Sequence, residues 1–399
     1  MPPSNSSTSN SNPPPEVAPG KMGNDVVDGK PGKSPVVRVA YVLLWIALWL
    51  VVMDVAMNVM FPYPKSPNAK PSRLQQYFEY GRSTEGKIRY MVGQTNNTTA
   101  SVSLAGWMDD GKTRPTTAAK SGGTLVAVYG QSFTQHACNT WAKQNDTLTM
   151  RMILGPGAPL NHSYSQFLED RDKHDAKVCV LGILASSLPY LDTIAGMTWS
   201  FERPYTFMFP RYSVVDGKLN IIDPTIHSMQ QFRDTLNDPT AWHQLLKHVS
   251  KHDAFFDPTT FNSSLTDQST LARMTRRAWG QRHMQAMQSH YHTKDGFNPK
   301  TGIANTARYL VVDWAKKVRE DGRLPIVYVI NDRGFADHLY QELGQTLEDN
   351  HIPYVSTHTY APTDDLSNFQ SDGHFVHAVD EITAQKFDAI YRTSKQYKN

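Results

Sequence analysis

The sequence has only two cysteines, Cys138 and Cys179. Two thiols are too few for a disulfide framework or a zinc ribbon, which excludes folds stapled by either. They stand as two buried thiols or, in an oxidising compartment, as one bridge. Net charge is also scarce, at a formal +3. No basic stripe is concentrated anywhere, so a dedicated nucleic-acid binder is excluded. No internal repeat is evident. Large apolar side chains are almost missing from residues 1–35, which are Ser, Asn, Pro and Gly with scattered charges. Such a segment cannot bury enough apolar surface to offset its ordering entropy, and a disordered tail is expected.

The next segment is the opposite. Residues 36–61 read VVRVAYVLLWIALWLVVMDVAMNVMF, uncharged from 39 to 53, with Arg38 and Asp54 near the ends. A bilayer crossing needs about 20 mostly apolar residues, and this run has no polar face that a soluble core helix would show. The leader is too long for a cleaved signal peptide and no small-x-small site follows, so a single-pass signal anchor is expected. Lys30, Lys33 and Arg38 before the span balance Lys65, Lys70 and Arg73 after it, so the positive-inside count leaves orientation open. Pro62, Pro64, Pro67 and Pro71 suggest a stiff stalk, opening an accessory segment over 62–120.

From 121 to 399 the pattern alternates. Short apolar runs fit buried parallel strands at 124–129 (TLVAVY), 148–154, 177–183, 325–330 and 353–357. Helical patterns fall at 76–80, 133–143, 164–170, 310–320, 335–348 and 378–391, and a further strand is expected near 100–104 among polar loops. This alternation predicts an α/β fold, a parallel sheet covered on both faces. A helix-prone stretch rich in His, Gln and Met, at about 224–308, interrupts it and reads as an inserted lid or subdomain.

In open α/β sheets, ligands bind beyond the carboxyl ends of the strands. The strand TLVAVY runs directly into Gly130-Gln131-Ser132, and a helix follows. A serine there projects its hydroxyl at the mouth of the sheet, beside helix N–H groups able to hold an oxyanion. Serine is equally a good N-cap, so the motif alone favours the capping role. The balance changes near the C-terminus, where Ser371-Asp372-Gly373-His374 precedes the last helix. A hydroxyl nucleophile needs a base, and the base an orienting carboxylate. Asp372 and His374 offer both, in a loop after a strand.

Together these blocks resemble the SGNH (GDSL-type) hydrolase superfamily, over 124–391. Gly130-Gln131-Ser132 matches its first block and Asp372 to His374 its last. Leu154-Gly155-Pro156-Gly157 follows the second strand, where the family's oxyanion-hole glycine stands. The resemblance implies a three-layer α/β/α, flavodoxin-like sheet. It also implies ester hydrolysis or O-acyl transfer through an acyl-enzyme, with Ser132, Asp372 and His374 as triad and Gly155 and Gly157 at the oxyanion hole. The chain departs from the family at Gln131, where an Asp is usual. The third block has Ser186 and Ser187 but no Asn, and the Asp–His spacing is one residue shorter. That shorter form resembles the membrane-associated polysaccharide O-acetyltransferases of bacteria, which implies an extracytoplasmic domain acting on acylated carbohydrate.

Arg211, after an aromatic run, is a candidate for holding an anionic or sugar group, and equally a structural arginine. His283, His290 and His292, and separately His248 and His252, fit a helix surface better than a metal site, since no carboxylate or thiol joins them at ligand spacing. No metal or other cofactor is expected. Two functions remain: a membrane-anchored serine esterase or O-acyltransferase, or an inactive protein of the same fold that binds glycan or a protein partner.

Overall fold

The computed structural model describes residues 34–62, 72–92 and 115–396. The expected tail up to residue 33, the stalk over 63–71 and the strand expected near 100–104 lie outside the described residues. The chain divides into two units, Met1–Met53 and Asp54–Asn399. Helix α1 (Pro35–Met60) has 26 residues, none of them buried. At about 1.5 Å per residue it is about 39 Å long, more than the roughly 30 Å of a bilayer's hydrocarbon core. It is long and apolar enough to cross a membrane.

The second unit is an α/β domain. It opens with helices α2 (Arg73–Glu79) and α3 (Thr84–Val92). Then come β1 (Thr124–Gly130), α4 (Ser132–Gln144), β2 (Leu148–Leu154), α5 (Leu160–Asp170) and β3 (Val178–Leu184). After an interruption the alternation resumes with α11 (Ile303–Glu320), β8 (Leu324–Ile330), α12 (His338–Asp349), β9 (Tyr354–Ser356) and α13 (His377–Gln396). The five strands lie in the order β2-β1-β3-β8-β9, every neighbouring pair parallel. Strand order therefore reverses between β1 and β3, which makes the carboxyl end of that pair the topological switch point.

The two faces explain why the strands read as continuous apolar runs. Leu125, Ala127 and Tyr129 of β1 pack with residues of α5, α11 and α12 in one cluster. Val126 and Val128 pack on the other face with Phe133, Ala137, Cys138 and Trp141 of α4 and with Phe387 and Tyr391 of α13. Period-two alternation sends successive side chains to opposite faces, and here both faces are core. Cys138 and Cys179 are free and belong to different clusters, so they do not pair. Burial raises both thiol pKa values.

The interruption is longer than the composition suggested. It starts directly after β3, with a 3-10 stretch over Ala185–Asp192 and the short α6 (Gly196–Trp199), and ends at α11. It holds the hairpin β4 (Arg211–Val215) and β5 (Lys218–Ile222), then α7 (Met229–Asn237), α8 (Pro239–His252), α9 (Pro258–Phe261) and α10 (Thr270–Tyr291). The small hairpin β6 (His292–Thr293) and β7 (Gly296–Phe297) follows. The first hairpin turns at Asp216-Gly217, both with positive φ. Asp-Gly is the usual pair for such a two-residue turn, so the signal was present in the sequence. The insertion has its own apolar cluster, built on Phe232, Trp242, Val249 and Phe261, and Ile88 and Val92 of α3 join it.

Helix α11 begins at Ile303, seven residues before the expected 310, because Ile303, Ala307, Val311, Trp314 and Val318 form one buried stripe. On the same side of the sheet sits a buried ion pair. Arg151 of β2 donates from Nε to Asp170 Oδ2 at 2.9 Å and from its terminal nitrogen to Oδ1 at 2.5 Å. The hydroxyl of Tyr129 donates to the same carboxylate at 2.9 Å. Burial opposes ionisation of Asp170, yet Arg151 and His174 together hold its carboxyl well below the usual range. Removing one partner of such a pair strands the other without a counter-charge. Asp170→Asn is expected to lower the unfolding free energy by about 3 kcal/mol or more, measured by urea denaturation; a change under about 1 kcal/mol would show that the pair is not buried as described.

A second polar contact gives acid sensitivity. His292 Nε2 lies 2.8 Å from His338 Nδ1 at the foot of α12, packed on Phe297 and Phe335. Burial and the neighbouring His338 push the His292 pKa down to about 4 from an ordinary 6.5. The fold thus prefers neutral His292, while the unfolded chain takes up a proton as pH falls below about 6.5. Stability contributed by this site is present above pH 6.5 and is lost as pH falls towards 4. His292→Phe keeps the ring packing without the proton, so its melting temperature is expected to fall less steeply over that interval. Parallel melting curves for the two proteins would remove His292 as the source.

Candidate active site

The Ser132 turn is shaped by close approach. Gly130, the last residue of β1, has φ +154°, and a Cβ there would lie 2.7 Å from Thr134 Oγ1. Across the switch point, a Cβ on Gly182 of β3 would meet the same oxygen at 1.8 Å. Glycine at both positions lets the first turn of α4 settle directly on the sheet. Thr134 is buried there and donates to Gln131 Oε1 at 2.7 Å. Gln131 is the N-cap residue, extended and without a side-chain cap, so the first-turn N–H groups of α4 stay open at the strand edge. Ser132 is thus the first residue of α4 and half-buried at the switch point.

The last block comes to the same place from the other end of the chain. Gly373, at φ +91°, allows a tight bend between Asp372 and His374. The Gly373 N–H donates to the Gln370 carbonyl at 3.0 Å, and the Gln370 N–H to the His374 carbonyl at 2.7 Å. Phe375 anchors this loop in the core, edge-on to Phe133 with centroids 5.2 Å apart. The result is a 2.7 Å contact between Ser132 Oγ and His374 Nε2, across 242 residues of sequence.

Asp372 is held less firmly. Its Oδ1 accepts the His374 backbone N–H at 3.1 Å, an Asx-type turn. Its Oδ2 lies 3.2 Å from the ring Nδ1. The ring N–H does not line up with that oxygen, so Nδ1 is close to the carboxylate without being hydrogen-bonded to it. The backbone N–H of His374, more than the ring, holds the exposed Asp372 carboxyl below its ordinary pKa. Its side chain is 64% exposed, so the carboxylate is free to rotate into line.

The glycines divide. The Gly155 N–H donates to the Gly130 carbonyl at 3.0 Å, continuing the ladder between β2 and β1. It has no second hydrogen to offer an oxyanion, so the donor role expected of it does not fit this geometry. That same bond ties the 155–157 loop to the Ser132 turn. Gly157, at φ +60°, has its carbonyl fixed by the Ser187 hydroxyl at 3.1 Å. No acceptor takes the Gly157 N–H among the described residues. Ser186 is engaged as well: its N–H donates to Asp332 Oδ1 at 3.0 Å, at the carboxyl end of β8. Asp332 is buried, which pushes its pKa up to about 6. The Ser187 hydroxyl is spent on the Gly157 carbonyl, and Ser186 is tied to Asp332 through its backbone N–H.

Arg211 has a structural role. Its guanidinium donates to Asp192 Oδ1 at 2.8 Å and to the His252 carbonyl at 2.9 Å, tying the hairpin to the 3-10 stretch and α8. Of the histidines, His283 meets the Phe255 carbonyl at 3.1 Å, and the rings of His248 and His252 lie 4.8 Å apart, tilted by 50°. Among the described residues, no three His, Cys, Asp or Glu side chains are grouped to hold a metal.

Two neighbours of His374 were not singled out from the sequence. Phe133 and His136, both on α4, lie with ring centroids 4.8 Å and 5.0 Å from it. The available signal was spacing: 133 and 136 are three apart, and 132 and 136 four apart, in a helix that starts at Ser132. Nothing in the sequence said that the ring of His374 would arrive beside them. No family model and no curated protein matches the chain.

Proposed function

We propose that the chain is a membrane-anchored serine esterase or O-acyltransferase acting on acylated carbohydrate, built on a flavodoxin-like sheet of the SGNH type. The 2.7 Å contact between Ser132 Oγ and His374 Nε2 carries the reading. It joins a strand-end serine to an imidazole with a carboxylate 3.2 Å behind it, which is the arrangement that activates a hydroxyl. The strand order β2-β1-β3-β8-β9, with every neighbouring pair parallel, supports the fold assignment. The carbohydrate substrate rests on the Asp-Gly-His block and its resemblance to polysaccharide O-acetyltransferases, and the anchor on α1.

In this mechanism Ser132 Oγ attacks the acyl carbon while His374 Nε2 takes its proton. The Ser132 and Gly157 N–H groups face the tetrahedral oxyanion. Asp372 stabilises the imidazolium as it forms. Collapse breaks the ester bond, and His374 returns the proton to the leaving alcohol. A hydroxyl of the acceptor, or water, then gives its proton to His374 and takes the acyl group from Ser132. The rival reading, an inactive binding protein, draws on the missing third-block Asn and the misaligned Asp372.

A fluorophosphonate probe separates the two on the full chain in detergent. Labelling is expected in the wild type and is absent in Ser132→Ala and His374→Ala. Asp372→Asn is expected to slow labelling by about 10- to 100-fold, less than the roughly 10⁴-fold of a firmly held triad carboxylate, because this one is exposed. An unlabelled wild type, with acetyl-ester turnover unchanged in Ser132→Ala, would sink the enzyme reading.

A further inference from the structure

His136 lies four residues after Ser132, one turn along α4 and on the same face. Its ring is tilted 39° to that of His374, with centroids 5.0 Å apart. Phe133 contacts the same His374 ring and already packs it against the core. His136 is half-buried, and no hydrogen bond to its ring nitrogens is found among the described residues. A polar ring beside the base, with no hydrogen bond inside the protein, keeps its nitrogens available to a group outside it.

We propose that His136 binds a hydroxyl of the acyl acceptor next to the attacking hydroxyl, and so aims a sugar or other polyol at the acyl-serine. The proposal rests on the acyl-Ser132 reading and adds the acceptor to it. Burial, and then the neighbouring His374, hold His136 below its ordinary pKa, with Asp372 pulling the other way. At neutral pH it is therefore an uncharged imidazole, with one N–H to donate and one nitrogen to accept. That pair complements a hydroxyl, which also does both. A lysine or arginine here would repel the imidazolium that forms on His374. A phenyl ring would pack equally well but hold no hydroxyl.

The step balances. The attacking oxygen forms its bond to the acyl carbon as the bond from that carbon to Ser132 Oγ breaks. The proton of the attacking hydroxyl passes to His374 Nε2 and from there to Ser132 Oγ. The hydroxyl bound at His136 keeps its proton throughout. Water has no second hydroxyl, so His136 favours transfer over hydrolysis by positioning alone.

The test follows the partition of the acyl-enzyme. The full chain in detergent is given p-nitrophenyl acetate with a panel of neutral disaccharides, and acetyl-sugar and free acetate are measured separately. In His136→Phe the ratio of transfer to hydrolysis is expected to fall about 10-fold, the worth of one hydrogen bond to an acceptor. Fluorophosphonate labelling is expected to slow by less than about 3-fold, because the ring packing is kept. His136→Gln, which can donate and accept, is expected to recover part of the transfer. An unchanged ratio in His136→Phe overturns the proposal, as does labelling that falls in step with transfer, which would make His136 a support for His374 only. A wild type that acetylates none of the disaccharides also overturns it. Absence of labelling in the wild type ends the acyl-serine reading as well, so the two failures are distinguishable.

Discussion

The contact of Thr134 with the backbone of Gly182 governs the chemistry of the sheet edge. A methyl group on Gly182 would overlap the Thr134 hydroxyl, so α4 seats its first turn on β3 only because that residue is glycine. Gly130 meets the same side chain from β1. With both in place, α4 starts immediately at the end of β1, and its first residue has no room to be anything but a strand-end side chain. Ser132 inherits its position from that packing, and the Gly155 N–H locks β2 alongside at the carbonyl of Gly130. Three strands thus converge on one serine through backbone approach.

The other half of the site is built on a different principle. His374 sits in a short loop whose shape comes from local hydrogen bonds and from the anchor Phe375. Its ring is set by contacts from α4, namely Phe133 and His136, more than by Asp372. The carboxylate is exposed and spends one oxygen on the backbone of the residue it would orient. Ser132 and His374 are therefore positioned by core packing, while Asp372 is positioned by a turn. The two-residue Asp–His spacing accounts for this: a carboxylate so placed reaches both the backbone N–H and the ring of the same histidine.

Away from the edge, buried charge is handled by pairing. Arg151 with Asp170, and Arg276 with Asp267 beside Ser83, satisfy ions that would otherwise destabilise the fold. The second of these pairs ties α10 of the insertion to the residues that open α3. Arg211 belongs with them. It was a reasonable ligand candidate by residue type, but an arginine near an aromatic run is as easily a brace, and here Asp192 and the His252 carbonyl engage its two terminal nitrogens.

The sequence alone determined the α/β class, the strands and their burial on both faces, because period and apolar content record what each residue packs against. It also determined the long apolar N-terminal helix, and it marked Ser132, Asp372 and His374 as residues worth bringing together. It could not place Gly155, whose role depends on which hydrogen bond its N–H makes, and a glycine carries no side-chain signal of that. It could not find His136, which matters only through a ring 238 positions away. Tertiary structure decided those points, since hydrogen-bond commitment and ring contact are properties of pairs. For Ser132 and His374 the division is sharpest: one was legible as a serine at a strand end and the other as a histidine in a loop before the last helix, and only the fold set their atoms 2.7 Å apart.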